Sequence, residues 1–168
     1  MSRESLCADD LHIFDKYSNM VYRMAYSLVK NKYDAEDIHQ EVFVRFFCKR
    51  PKFESTEHEK AWFLRVTINL CKNLWKTAWR QRIVSLGEDL EENLDASNTI
   101  DVMGNTEENT IIDVVKELPQ KYRVVIHLFY YEEMSIEEIS RVLQMNPSTI
   151  RTRLTRAREK LKGMLEDV

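Results

Sequence analysis

Glycine, proline and cysteine are scarce in this 168-residue sequence, which contains only three of each. Together with 32% charged and 43% hydrophobic residues, this scarcity indicates a soluble, mostly helical protein. The cysteines, Cys7, Cys48 and Cys71, are isolated and form no CxxC pair, as is typical of a reducing cytoplasm. We expect Cys48 and Cys71 to pack between helices.

Long apolar runs are also absent. No stretch approaches the roughly 20 apolar residues of a membrane span, and the N-terminus MSRESLCADD lacks the apolar core of a signal peptide. We therefore expect a cytoplasmic protein without membrane insertion. The four histidines are scattered without an HExxH motif or a Cys/His cluster, so no metal ion or other cofactor is expected. Because no nucleophile–base pair and no phosphate-cradling glycine loop is found, we do not expect an enzyme.

Charge is strongly segregated along the chain, although the net charge is only −3. Residues 1–82 carry 15 basic and 11 acidic side chains, and residues 118–168 carry nine basic and seven acidic ones. Residues 83–117 carry one basic and ten acidic side chains. The sequence therefore predicts two mildly basic lobes joined by an acidic connector.

Residues 134–164 predict a helix, a tight turn and a second helix. Ser135 and Glu138 fit a capping box at the start of the first helix. After a turn at 144–146, Asn146 is a suitable N-cap, and Pro147 suits the first helical position because its missing amide would be unpaired there. The buried faces are predicted to comprise Ile136, Ile139, Val142 and Leu143 in the first helix and Ile150, Leu154, Ala157, Leu161 and Leu165 in the second.

The opposite face of the second helix carries hydroxyl and guanidinium groups, from Ser148, Arg151, Thr152, Thr155 and Arg156. A major-groove reader needs such a face, because these groups bond to base edges and no bulky apolar side chain obstructs them. The pattern also fits an ordinary solvated basic helix. Arg153, Arg158 and Lys160 border the buried face, where we expect them to cover apolar surface, pair locally or touch phosphate.

Residues 10–30 predict an amphipathic helix with a buried face of Leu11, Phe14, Tyr17, Val21, Met24, Ala25 and Leu28. A second helix follows, which Asp34 is expected to cap. Its inward face is predicted to comprise Ala35, Ile38, Val42 and Phe46. The outward face is acidic, with Asp34, Asp37, Gln40 and Glu41, and from composition alone it is interpreted as solvated.

A polar loop at 49–59, containing Pro51 and Phe53, precedes a long helix that is expected to start with a capping box of Thr56 and Glu59 and to end near Arg82. Its packing face is predicted to comprise Leu64, Ile68, Cys71, Leu74, Trp75 and Ala78. The other face comprises Trp62, Arg65, Asn69, Lys72, Asn73, Lys76 and Arg80, although we expect Trp62 to fold into the core. Asparagine is a mediocre helix former, and two asparagines among cations suit amides that bond base edges beside charges that hold phosphates. An exposed helix face is the alternative.

Residues 83–106 lack a sustained period and are rich in Asp, Glu and Asn, so a flexible acidic linker is predicted. A helix at about 107–117 and another from Pro119 through Tyr131 would complete a four-helix C-terminal lobe. The packing residues of the latter helix are predicted to be Val124, Val125, Leu128 and Phe129. The predicted fold is all-α, with one helical domain over 8–82, the linker over 83–106 and a helix-turn-helix domain over 107–168.

From Leu11 to Leu165 the chain resembles the small extracytoplasmic-function (ECF) branch of the sigma-70 superfamily of bacterial RNA polymerase sigma factors. Three segments carry the resemblance: DAEDIHQEVFVRFF, AWFLRVTINLCKN and LPQKYRVVIHLFYYEEMSIEEISRVLQMNPSTIRTRLTRAREKL. The first two resemble regions 2.2 and 2.3–2.4, and the third resembles region 4 almost throughout. The turn Gln144-Met145-Asn146 departs from the family, which usually has a glycine there.

The resemblance implies a promoter-specificity subunit that binds core RNA polymerase and directs promoter recognition, DNA melting and initiation at a specific regulon. Region 2 would dock on the clamp helices of the β′ subunit through Asp37, Gln40 and Glu41. The loop over 52–60, with Lys52, Phe53 and Lys60, would capture an extruded base of the −10 element. Further −10 contacts would come from Asn69 and Asn73 to the strand and from Lys72, Lys76 and Arg80 to its phosphates.

Region 4 would read the −35 element through Ser148, Thr149, Arg151, Thr152, Thr155 and Arg156, and would touch the flap of the β subunit. The acidic linker would thread toward the polymerase active site and the RNA exit path. An anti-sigma factor is expected as a further partner by family habit. The alternative function is a free-standing helix-turn-helix regulator that binds duplex DNA without core polymerase, which accounts for residues 118–165 but not for the N-terminal lobe.

Overall fold

The computed structural model describes residues 8–86 and 113–167, with their side chains over 8–77 and 113–167. These residues form helices and no strand, which confirms the predicted all-α class. The chain divides into two compact units, Met1–Trp75 and Lys76–Val168. Cys7, the predicted linker beyond residue 86 and most of the helix predicted at 107–117 lie outside the described residues, although 113–117 are helical.

The N-terminal unit is built from α1 (Ala8–Val29), α2 (Lys32–Lys49) and the first part of α3 (Thr56–Leu86), which extends beyond its predicted end. Its core draws apolar side chains from all three helices: Tyr17, Met20, Val21, Met24, Ala25, Leu28, Ala35, Ile38, Val42, Phe43, Phe46, Phe63, Leu64, Ile68 and Cys71. Phe63 lies at the centre, with its ring centroid 4.5 Å from that of Tyr17, 5.2 Å from Phe46 and 5.6 Å from Phe43. Such aromatic clusters bury large apolar areas and fix the helices to one another.

The start of α2 is capped by Asn31, whereas the sequence predicts Asp34 as the cap. The Asn31 side-chain oxygen accepts hydrogen bonds from the amides of Tyr33 at 2.8 Å and Asp34 at 3.2 Å. Asparagine is as good an N-cap as aspartate, so the earlier residue starts the helix. Asp34 therefore lies in the first turn, where its negative charge is favourable.

The capping box predicted for α3 was also wrong. Ser55 accepts a hydrogen bond from the amide of His58 at 3.1 Å, so Thr56 is the first helical residue and not the cap. Glu59, freed from the predicted box, accepts a hydrogen bond from the hydroxyl of Tyr17 at 2.6 Å. A tertiary contact has thus taken the carboxylate that local sequence assigned to the helix end.

Four residues predicted to pack are exposed instead: Leu11, Cys48, Leu74 and Leu165. Leu11 and Leu165 lie in the first turn of α1 and near the end of the last helix, and helix ends extend beyond their packing partners. Cys48 follows buried Phe46 by two residues, which turns it about 200° around the helix, away from the core. Cys71, by contrast, is buried as predicted.

The described part of the C-terminal unit contains α4 (Gln120–Ile126), a π-helical turn (His127–Tyr131), α5 (Ile136–Leu143) and α6 (Pro147–Glu166). The helix predicted to continue through Tyr131 thus changes type at His127. The core comprises Val114, Leu118, Tyr122, Val124, Val125, Ile126, Leu128, Met134, Ile139, Val142, Leu143, Ile150, Leu154 and Ala157. Arg123 is fully buried, and its Nη1 donates to the carbonyls of Lys116 and Leu118, each at 2.8 Å. These bonds tie the segment before Pro119 to α4.

The helix-turn-helix caps are as predicted. Ser135 and Glu138 form the capping box at the start of α5, and Asn146 caps α6, with Pro147 at its first position. The turn between the helices places Gln144 in the left-handed region at φ 55°. None of the described helices is long and apolar enough to cross a membrane. Among the described residues, no cluster of three or more His, Cys, Asp or Glu side chains could hold a metal ion.

Candidate nucleic-acid and protein interfaces

One face of α2 carries the acidic residues predicted to bind polymerase. Asp37, Gln40 and Glu41 are all exposed there, while Ile38 and Val42 on the other side of the helix are buried. Glu41 pairs with Arg45, one turn further on, with Oε1 3.0 Å from Nε. Both side chains of that pair are exposed, so the pair costs little to open when a partner binds.

Two large apolar side chains bracket these acids, and sequence analysis missed both. Tyr33 is 75% exposed and Val44 is 47% exposed. At 3.6 residues per turn, both fall on the face of Asp37 and Gln40. We call the set Tyr33, Asp37, Gln40, Glu41 and Val44 the α2 surface. Extending the helical spacing by one turn in each direction would have found them, and an acidic patch flanked by exposed apolar groups is typical of a protein interface.

The loop between α2 and α3 is folded onto the aromatic core. The ring of Phe53 is parallel to that of Phe46 within 6°, at 6.5 Å between centroids, and lies 6.0 Å from Trp62. Trp62 itself is half-buried, with its ring centroid 5.1 Å from that of Phe63, so it lies at the edge of the core, whereas the sequence predicts that it folds into the core. Lys52 is exposed beside Phe53. The loop therefore presents a cation and the edge of an aromatic platform to solvent.

The polar face of α3 holds most of the residues predicted to contact the −10 element. Asn69, Asn73 and Lys76 are exposed and Lys72 is half-buried, and the 3.6-residue repeat puts all four on one side of the helix. Lys60, nine residues before Asn69, lies two and a half turns away and hence on the opposite side. The side chain of Arg80 lies outside the described residues. Amides and ammonium groups thus alternate along one face of α3, and Lys60 is not part of that face.

The outward face of α6 exposes every residue predicted to read the −35 element: Ser148, Thr149, Arg151, Thr152, Thr155 and Arg156. Two of the hydroxyls bond to the helix itself, since Thr152 Oγ1 donates to the carbonyl of Ser148 and Thr155 Oγ1 to that of Arg151, each at 3.0 Å. With its hydrogen committed, each oxygen is left to accept. Such hydroxyls are suited to amino groups on base edges. We call these six residues the α6 surface.

Arg151 already has a partner in the other helix of the motif. Its Nη2 lies 3.7 Å from Oε1 of Glu137 at the start of α5, and both side chains are more than half exposed. The pair is too solvated to contribute much stability. Base contact by Arg151 would require this pair to open.

A cavity of about 350 Å³ lies between the start of α4 and the start of α6. It is lined by Lys121, Tyr122, Ser148, Thr149, Thr152, Arg153 and Arg156. Within the described part of the chain, none of the three cations Lys121, Arg153 and Arg156 forms an ion pair with a carboxylate. Sequence analysis missed Lys121, because only the packing of α4 on α6 brings it beside residues 27 or more positions later.

Comparison with known proteins places both units in one family. The sigma-70 region 2 family model matches residues 13–81, and the sigma-70 region 4 family model matches residues 108–161. The ECF RNA polymerase sigma factor SigW of Bacillus subtilis (strain 168) is 30% identical over 176 residues, covering 93% of this chain and 88% of that protein. The chain belongs to the ECF RNA polymerase sigma factors.

Further similarities agree with this assignment. The ECF sigma factor SigM of Bacillus subtilis (strain 168) is 27% identical, covering 90% of this sigma factor and 92% of SigM. In fold, the sigma factor RpoE, solved with the anti-sigma factor NepR from Bartonella quintana, matches with a TM-score of 0.76 at 21% identity, covering 95% of this chain and 98% of that one. CnrH, solved with the cytosolic domain of CnrY, matches with a TM-score of 0.65 at 20% identity, covering 94% and 88%.

Membership decides between the two functions that the sequence left open. A sigma factor binds core RNA polymerase and directs promoter recognition, DNA melting and transcription initiation, whereas a free-standing regulator would need only the helix-turn-helix unit. Because region 2 accounts for the N-terminal unit as well, the free-standing regulator is set aside.

Proposed function

We propose that this sigma factor docks on the clamp helices of the polymerase β′ subunit through the α2 surface. The proposal is supported by three exposed acidic or amide side chains, Asp37, Gln40 and Glu41, that project from a helix whose other side is anchored in the core. Tyr33 and Val44 would add apolar contact at both ends of the patch. Charged groups would set orientation and association rate, while the apolar groups would add affinity.

The −10 element is proposed to bind along the loop and α3. Lys52, Phe53 and Lys60 would hold an extruded base, since extruded bases are bound by aromatic or apolar side chains and by hydrogen bonds to their pairing edge. Asn69 and Asn73 would contact the strand, and Lys72, Lys76 and Arg80 would hold its phosphates. Support comes from the exposure of Asn69, Asn73 and Lys76 on one helical face.

The −35 element is proposed to bind the α6 surface, with α6 in the major groove. Thr152 and Thr155 would accept hydrogen bonds from base amino groups, because their own hydrogens are bonded within the helix. Arg151 and Arg156 would donate to bases, and Ser148 and Thr149 would contact the strand near the helix N-terminus. The cavity that part of this surface lines would receive a backbone phosphate between Lys121 and Arg153.

The remaining features of the proposal follow from the family. We infer a cytoplasmic initiation factor that is not itself an enzyme, with domains over 8–82 and 107–168, an acidic linker over 83–106 directed toward the polymerase active site and RNA exit path, and a contact to the β flap. An anti-sigma factor is proposed as a partner, since the family member RpoE was solved with the anti-sigma factor NepR.

The observation that supports the proposal is the presence of an exposed acidic α2 surface together with exposed polar faces on α3 and α6 in a family member. The test is in vitro transcription with purified core polymerase and a library of randomised promoters, with and without the protein. Promoter-specific transcripts that depend on the protein, with enriched −35 and −10 sequences, are the expected result. Binding of duplex DNA by the protein alone, without dependent transcripts, would overturn it.

A further inference from the structure

We propose that α1, which carries none of the residues assigned to DNA, positions the loop over 50–55 that captures the −10 base. Asp10 fixes the start of the loop through Arg50, and Tyr17 fixes the end beyond it through Glu59. The inference rests on the −10 role proposed for the loop and identifies Asp10 and Arg50 as positioning residues for promoter melting.

The first contact is a two-pronged ion pair at the start of the loop. Arg50 Nη1 lies 2.8 Å from Asp10 Oδ1, and Nη2 lies 3.0 Å from Oδ2. The Asp10 side chain is only 5% exposed, whereas that of Arg50 is 47% exposed. A buried carboxylate needs its charged partner, and the fork geometry fixes the orientation of the guanidinium as well as its distance.

Arg50 also sets the direction in which the chain leaves α2. Its backbone is left-handed, with φ 43°, and its amide donates to the carbonyl of Phe46 at 2.9 Å. A residue other than glycine is strained in this region and stays there only where surrounding contacts hold it. Pro51, with its fixed φ, follows directly, and Lys52 and Phe53 come next. The Asp10 contact therefore holds the residue that aims Lys52 and Phe53.

The second contact lies just past the other end of the loop. Glu59 Oε1, in the first turn of α3, accepts a hydrogen bond from the Tyr17 hydroxyl at 2.6 Å and lies 3.4 Å from Lys16 Nζ. Burial, and then Glu59 itself, raise the pKa of Tyr17, so the phenol keeps the proton that it donates. The Tyr17 ring is stacked on Phe63 at 4.5 Å, which anchors this contact in the core.

The two anchors lie on one side of α1, because Asp10 and Tyr17 are seven residues, or about two turns, apart. Between the anchored ends, the Glu54 amide contacts His58 Nδ1 at 3.3 Å, and Phe53 lies against Trp62. A short loop fixed at both ends has few conformations, so the base site would be assembled before DNA arrives. Preorganisation of this kind lowers the cost of capturing an unstacked base.

The test uses the full chain with core polymerase in an assay that measures promoter melting. Asp10→Asn keeps the size of the side chain but removes the charge that holds the fork. We expect promoter opening to slow about tenfold or more. The rate of opening is measured by the permanganate reactivity of the −10 thymines. Preference at the extruded −10 position should relax, while core affinity and −35 preference stay unchanged. Arg50→Lys keeps the positive charge but loses the fork, and we expect the same effects from it. It serves as the test if Asp10→Asn fails to fold.

Asp15→Asn is the matched control. It makes the same substitution at an exposed position on α1 and should leave opening and −10 preference unchanged. Unchanged opening in both Asp10→Asn and Arg50→Lys would overturn the inference, as would a loss of core affinity in proportion to the loss of opening.

A loop variant separates failure of this inference from failure of the proposed −10 role. If a Lys52→Ala, Phe53→Ala double variant leaves −10 preference intact, the proposed role of the loop is wrong. If the double variant relaxes that preference and Asp10→Asn does not, only the positioning by α1 is wrong.

Discussion

Ser140 and Met145 close the turn of the helix-turn-helix from both sides. The Ser140 hydroxyl donates to the carbonyl of Met145, and the Met145 amide donates to the carbonyl of Ser140 at 3.1 Å. Gln144, between them, is left-handed at φ 55°, with its amide bonded to the same Ser140 carbonyl. The turn therefore keeps the backbone that a glycine would adopt easily, and Ser140 supplies the bonds that hold a glutamine there.

Gln144→Gly should stabilise the C-terminal unit. Glycine has no Cβ to clash in the left-handed region, which stabilises the folded state, but it also makes the unfolded chain more flexible, which offsets part of that effect. We expect the free energy of unfolding to rise by about 0.5–1 kcal/mol. Amide hydrogen exchange of α5 and α6 in the full chain measures it. Glu159→Gly, at an exposed position within α6, is the control and should instead lose about 1 kcal/mol. If the amides of α5 and α6 exchanged more slowly in Glu159→Gly than in Gln144→Gly, the account of the turn would be contradicted.

Local chemistry made parts of this unit predictable. The Asn146-Pro147 start of α6 and the Ser135–Glu138 capping box involve groups within three residues of each other, and both are as predicted. At α2 and α3 the same reasoning chose the wrong capping residue, because a second good N-cap lies earlier in each case: Asn31 before Asp34, and Ser55 before Thr56. The amphipathic spacing placed most of the core but failed at Leu11, Cys48, Leu74 and Leu165.

Contacts between distant residues were not predictable. Arg50 lies 40 residues from Asp10, and Lys121 lies 27 before Ser148, so no periodicity links either pair. The buried Arg123 is a further case, since a cation in the sequence predicts exposure unless the carbonyls that it will meet are known. The roles of the candidate site residues came from the family pattern, and their exposure is what the fold adds.

Reversing the charge at Asp37 and Glu41 together, by lysine substitution, should weaken binding to core polymerase about tenfold or more, since two negative charges of the proposed interface would become positive. Fluorescence anisotropy with labelled core polymerase measures the affinity, and circular dichroism checks that the helices remain. Asp15→Lys, an exposed reversal on α1, serves as the matched control and should bind normally. Equal affinity of the wild type and the double variant would rule out this surface as the clamp contact.

Arg156→Ala should relax recognition of a single −35 base pair. If the guanidinium bonds a base edge, the variant loses about 1–3 kcal/mol on the preferred sequence and little on promoters altered at that position. Holoenzyme binding to a panel of single −35 substitutions resolves this pattern. An equal loss on every promoter would assign Arg156 to phosphate instead.

Lys121→Ala should give the opposite pattern. A phosphate contact carries no sequence information, so affinity should fall equally across the same panel, and the dependence of log affinity on log salt should decrease by about one ion. Lys162→Ala is the control, because Lys162 is exposed on α6 beside Glu166 and does not line the cavity. A loss confined to one promoter sequence, or none at all, would remove Lys121 from the DNA contact.

His39 should make the N-terminal unit less stable as pH falls. Burial lowers the pKa of His39 below its ordinary 6.5, against the opposing contact with Ser18, whose Oγ lies 2.9 Å from Nε2. Phe14, Tyr22 and Phe43 surround the ring at centroid distances of 5.8, 6.4 and 5.0 Å. Because the unfolded chain takes up the proton first, the stability that neutral His39 contributes is complete above pH 6.5 and is lost as pH falls through the lowered pKa.

His39→Gln keeps an amide that can bond Ser18 but removes the titrating group. Urea unfolding followed by tryptophan fluorescence, which reports on Trp62 beside the aromatic core, should show a weaker dependence on pH below 6.5 in this variant than in the wild type. His12→Gln, at an exposed position on α1, should retain the wild-type slope. Parallel pH curves for wild type and His39→Gln would mean that the acid sensitivity of this unit arises from its carboxylates, whose native contacts protonation would weaken in both proteins alike.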